Sequence, residues 1–167
     1  MSSRVPAKLA KVSVSLPFGL GSAEWTSDPT ERKAAWSLYV ELATRISLQP
    51  LEAELEQGLL REALLSLHSL FKTTRDVLKE AGPSVGIAPY SVGGIALAVL
   101  NRGLRPFLSK WHPLLQAWET QRPPHVNPVA HENNWCEEPQ LRNELELLRQ
   151  ELEQYASVLA ALAGVEE

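Results

Sequence analysis

The chain is poor in cysteine, in methionine and in long apolar runs, and each shortage narrows what it can be. Its single cysteine, Cys136, cannot close an internal disulfide or supply a paired-cysteine zinc finger. A reducing compartment, the cytoplasm, is the expected location. No stretch reaches the ~20 apolar residues that span a bilayer. The nearest, residues 85–100, is interrupted by Pro89, Tyr90, Ser91, Gly93 and Gly94. Residues 1–11 carry charge but no apolar segment of signal-peptide length. There is no glycine-rich phosphate loop between strand and helix, no Gly-x-Ser-x-Gly elbow, and no Glu-x-x-His pairing of the di-iron bundle type. No catalytic residue, resident metal or cofactor is therefore expected.

Excess basic charge is missing as well. Sixteen Lys and Arg stand against twenty Asp and Glu, a net charge of −4, which argues against general nucleic-acid binding. The charge is unevenly placed. Residues 132–167 hold nine glutamates against Arg142 and Arg149, a net of −7, while the remainder carries 14 basic and 11 acidic residues, a net of +3. An acidic closing segment on a mildly basic body can be steered onto its own surface or a partner's.

What the chain does have is helical periodicity. With 167 residues, 44% of them hydrophobic, it can bury a core as one domain. Asp28, Pro29 and Glu31 form an Asp-x-x-Glu capping box with proline at the first helical position. Trp36, Tyr39, Val40, Ala43 and Ile46 then mark an apolar stripe to about Leu48, and Pro50 disfavours helix at Gln49. A second helix is expected over Leu51–Ala81, with Leu55, Leu59, Ala63, Leu67, Leu70, Val77 and Leu78 inward and Gly82-Pro83 as its stop. A third region, Ser91–Gln121, opens on Ser91 as cap. Its Gly93, Gly94, Ala96 and Ala98 would let another helix approach closely, and Pro106 and Pro113 predict kinks or short breaks. A polar connection over Arg122–Glu138 follows.

The last helix carries the most specific signal. Leu141, Leu145, Leu148, Leu152, Tyr155, Leu159 and Leu162 step by 4, 3, 4, 3, 4, 3, a heptad seam, and Gly164 ends it. The seam can line the core of an antiparallel bundle or pair with another subunit. The fold class expected is all-α: a four-helix-type bundle over residues 27–167 with a kinked third helix, preceded by an extended or flexible arm over residues 1–26. In that arm Val12, Val14 and Leu16 alternate with serines as in a strand that needs a partner edge.

Three constellations could carry function. Arg45, Arg75, Arg102, Arg105, Lys110 and His112 would bind a phosphate, nucleotide or acidic peptide if they converge; otherwise they pair with Glu41, Glu62, Asp76 or the acidic last helix. His112, Glu119, His125, His131, Glu132 and Cys136 are types that ligate zinc, but they match no ligand spacing. A Cys136 thiolate beside His131 or His125 is opposed by Glu137 and Glu138, since carboxylates raise a thiol pKa. Val12, Val14 and Leu16, with Trp25 and Trp135 flanking helix starts, are candidate interface residues. The reading that follows is a non-enzymatic interaction or scaffold subunit with a protein partner or self-association. The alternatives are a sensor of an anionic small ligand and a metal- or thiol-dependent hydrolase. Neither a membrane nor nucleic acid is expected as partner.

Overall fold

The computed structural model describes residues 11–26, 28–45, 60–86 and 88–165. They are mostly helical, with one small two-stranded sheet. In chain order the elements are β1 (Lys11–Ser15), β2 (Ser22–Thr26), α1 (Pro29–Ala43), α2 (Leu60–Ala81), α3 (Val92–Ala98), α4 (Arg105–Glu119), α5 (Pro128–Asn133) and α6 (Glu138–Ala163). A 3₁₀ turn, Pro83–Val85, precedes α3, and a π-helical turn, Val99–Leu104, joins α3 to α4.

The expected heptad seam is buried along its whole length, from Leu141 at 0% exposure to Leu162 at 6%. Such a seam in water gains roughly 2 kcal/mol for each large side chain buried. The helix stops at Gly164 in the left-handed conformation, as expected. Helix α1 packs on both α6 and α2. Its buried face is not the one the large residues suggested. Ala34, Ala35, Leu38 and Leu42 face the core, while Trp36 and Val40 stay 48% and 39% exposed. Small residues let helix axes approach closely, so α1 turns its alanines toward its neighbours and its bulk outward. Ile46, Leu55 and Leu59 lie outside the described residues.

Asp28 caps α1 as expected, accepting from the Thr30 and Glu31 N–H groups at 2.8 and 3.2 Å. Glu31 does not close the box. Its carboxylate accepts instead from Val92 N–H at 3.1 Å, so it ties the start of α1 to the start of α3. Ser91 caps α3 through Gly94 N–H at 3.0 Å. The glycines behind that cap serve a different neighbour from the helix expected. A Cβ on Gly93 would fall 2.1 Å from the Gly86 carbonyl oxygen, and one on Gly94 would fall 1.9 Å from that of Ala88. The loop leading into the helix, crossing tightly over it, is what requires them.

The arm is also reorganised. Residues 11–26 are not a single strand seeking a partner: β1 pairs antiparallel with β2, from Lys11 opposite Thr26 to Ser15 opposite Ser22. The hairpin lies against α6, with Leu16 and Trp25 in the core. Phe18, at its tip, holds φ of +55°, a conformation that costs a non-glycine residue energy. Its N–H donates to the Glu151 carboxylate at 2.6 Å, and its ring sits where a Cβ on Gly103 would come within 2.6 Å. The hairpin tip is thus wedged between α6 and the π turn.

The π turn answers the prolines. Arg105 N–H donates to the Leu100 carbonyl, five residues back, immediately before Pro106. Widening the helix by one residue accommodates a ring that would otherwise collide with the preceding turn. At Pro113 the helix continues without such a turn.

Candidate functional site

Between α2 and α4 runs an open groove of about 860 Å³. Helix α2 contributes His68, Ser69, Phe71, Lys72 and Arg75, and α4 contributes Arg105, Leu108, Ser109, His112 and Pro113. The spacing explains the convergence: residues 68, 72 and 75 recur at helical period on one wall, and residues 105, 109 and 112 on the other. Among the described residues that line it there is no Asp or Glu.

The cations are held in different ways. The Arg105 guanidinium lies over the Phe71 ring, 5.2 Å from its centroid, and donates to the Asn101 side-chain oxygen at 3.1 and 3.2 Å. It is oriented by an aromatic face and an amide rather than by a carboxylate. Lys72 is paired with Asp76 at 2.7 Å, and that bond holds the Asp76 carboxyl below the usual carboxylate range. His68 and His112 stand edge to face, 6.0 Å between ring centroids. Arg61 donates to His112 Nδ1 at 2.9 Å and is paired in turn with Glu119 at 2.9 Å. An arginine can only donate, so the nitrogen facing it must accept and the imidazole is neutral. Burial, then the neighbouring Arg61 and His68, push the His112 pKa down.

Of the six residues expected to bind an anion, Arg75, Arg105 and His112 share this groove. Arg45 does not: it is paired with Glu41 at 3.2 Å and donates to Ser69 and Thr73 hydroxyls, bracing α1 against α2. Lys110 is drawn to the acidic last helix, 2.6 Å from Glu144, and also sits over the Trp111 ring at 4.3 Å. Arg102 is exposed on the π turn and is not among the groove-lining residues. His68 and Lys72, which stand outside that expected set, also line the groove. Their signal was the 68, 72, 75 spacing, hidden because His68 and Lys72 read singly as ordinary surface residues.

The residues that could serve zinc or thiol chemistry are dispersed: His112 lines the groove, Glu119 pairs with Arg61, and His131 and Glu132 are buried in packing. His131 stacks on Trp118 at 4.4 Å between centroids, 8° from parallel. Trp118 donates its indole N–H to the His131 carbonyl at 2.8 Å, and His131 Nε2 meets the Trp118 carbonyl at 2.8 Å. The Glu132 carboxylate, 5% exposed, accepts from Leu60 N–H at the start of α2 at 2.9 and 3.1 Å, with Arg142 at 3.9 Å. Burial raises its pKa against the opposing pull of Leu60 N–H and Arg142. Cys136 and His125 are exposed. Among the described residues no three His, Cys, Asp or Glu side chains are placed to hold a metal ion.

Of the five interface candidates, Leu16, Trp25 and Trp135 are buried in the chain's own core, and Val12 and Val14 are half-buried on the hairpin. Trp135 packs edge-on to Trp111, 6.1 Å between centroids, whose own N–H donates to Glu144 at 2.7 Å. These tryptophans anchor α4, α6 and the segment before α6 to one another. No described helix is long and apolar enough to cross a membrane. No protein-family model, curated protein or solved structure matches the chain.

Proposed function

We propose that this protein is a non-enzymatic binding module whose working surface is the α2/α4 groove and whose ligand is anionic. One observation carries the reading: Arg75 and Arg105 line the groove, neither forms an ion pair among the described residues, and no described carboxylate lines the groove beside them, whereas Lys72 is already paired with Asp76 and His112 is neutral. A surface cation that the fold leaves without a carboxylate partner can accept one from outside at little desolvation cost. The architecture accompanying this reading is a four-helix-type bundle with an irregular third helix, supported by the buried seam of α6 and the π turn before Pro106. The test is thermal denaturation in increasing inorganic tripolyphosphate at constant ionic strength. The melting temperature is expected to rise in the wild type and to stay flat in Arg75→Ala/Arg105→Ala. No rise in the wild type refutes the reading.

A second reading, an interaction subunit that self-associates, is favoured by a separate feature. Trp36 and Val40 lie on one exposed face of α1, with Trp36 stacked on Tyr39 at 5.8 Å. An exposed tryptophan beside an exposed valine is an uncommon use of apolar surface unless something covers it. Light scattering at several concentrations checks it. A constant monomer mass refutes it, and a mass that rises in the wild type but not in Trp36→Lys supports it.

A further inference from the structure

An anion alone does not account for the groove. Its volume of about 860 Å³ falls near the top of the range of about 300–1,000 Å³ typical of small-molecule sites, and far exceeds what one phosphate ion fills. Phe71, Leu108 and Pro113 give it an apolar floor beside the cations. Arg105 covers one face of Phe71, and its side chain is exposed. The other face of that guanidinium is a flat cationic surface of the kind on which bases stack.

The wall also offers an acceptor. Pro113 has no N–H, so the Ser109 carbonyl lacks the donor an unbroken helix would give it, and both residues line the groove. An amino or hydroxyl group of a ligand matches that carbonyl. A peptide fits less well. The walls are two helices whose backbone groups are mostly bonded internally, so no sheet edge is available for its main chain. The lining residues run only from 68 to 75 on one wall, about 10 Å of helix, or three extended residues.

We infer that the groove takes a nucleoside polyphosphate, with its phosphates on Arg75 and Arg105, its base on the Arg105–Phe71 stack and a polar donor on the Ser109 carbonyl. This rests on the groove being the anion site proposed above. The test is isothermal titration of the full chain, without magnesium and at one ionic strength, against adenosine triphosphate, guanosine triphosphate, inorganic tripolyphosphate and adenosine. At least one nucleotide is expected to bind tenfold or more tightly than tripolyphosphate, and adenosine more weakly than either. Arg75→Ala/Arg105→Ala should weaken the nucleotide at least tenfold with an unchanged circular-dichroism melt, since both side chains are exposed. Tripolyphosphate binding as tightly as both nucleotides overturns the nucleoside assignment and leaves the anion site standing. Binding by none of the four overturns both. Nucleotide binding that survives the double substitution places the site elsewhere and also overturns the assignment.

Discussion

Replacing Tyr155 by phenylalanine removes one oxygen from the middle of the α6 seam and tests how that seam is packed. Tyr155 is 6% exposed, and its hydroxyl is buried with no hydrogen-bond partner among the described residues. The same burial pushes its phenol pKa up. A buried polar group without a partner costs about 1–3 kcal/mol. Phenylalanine keeps the ring, so the apolar contacts survive and only a hydroxyl-sized space is added, which takes back part of the gain. The expected result is a stabilisation of about 1 kcal/mol, or roughly 2–4 °C in melting temperature for a chain of this size. Urea denaturation followed by circular dichroism reads it as a higher midpoint at unchanged slope. Tyr155 also lines a void of about 10 Å³, at the lower limit of the space one water needs. A loss of 1 kcal/mol or more in Tyr155→Phe would show that the hydroxyl is hydrogen-bonded in solution and refute the reasoning.

Other substitutions probe separate contacts. Gly94→Ala should lower stability by about 1–3 kcal/mol, because its Cβ would lie 1.9 Å from the Ala88 carbonyl oxygen and backbone must move; an unchanged melting temperature would refute the crossing. Glu132→Gln tests the buried carboxylate by pH. The folded pKa of Glu132 is raised, so the folded state holds that proton more tightly, and the stability it contributes is present in acid and lost as pH rises through the raised value. Denaturation midpoints should therefore shift in favour of Glu132→Gln over wild type from pH 4 to pH 8, and a difference that does not change with pH excludes this. Cys136→Ser should leave stability within about 0.5 kcal/mol, since Cys136 is exposed; a larger loss by thermal melt would mean that the thiol has a structural partner.

Sequence pattern alone determined the elements whose signals are local. The heptad of α6, its glycine stop, the Asp28 cap and the Ser91 cap depend on neighbours within a turn, and such contacts repeat at fixed spacing. The exposed face of α1 was not legible in this way. Either Trp36–Val40 or Ala34–Leu42 makes a helical stripe, and only the close packing on α6 and α2 selects the second. The second strand was equally ambiguous. Ser22–Thr26 pairs with β1 across a loop whose proline and glycines read as the end of structure.

The site divides along the same line. Arg75, Arg105 and His112 could be named as cation types with few acids nearby, and spacing puts Arg105 and His112 on one face of α4, yet nothing in it tells that this face meets Arg75 on α2 or that Lys110 meets Glu144. Long-range placement decided the groove, by setting α2 beside α4 and sending Lys110 to Glu144, while Arg45 meets Glu41 only four residues back. It also took His131 and Glu132 from the surface chemistry their types suggest into the joints between α2, α4 and α5. Periodicity specifies which side of a helix is apolar. Tertiary packing specifies which polar groups meet across helices, as Glu132 with Leu60, Arg61 with Glu119 and Lys110 with Glu144, because those partners lie dozens of residues apart in the chain.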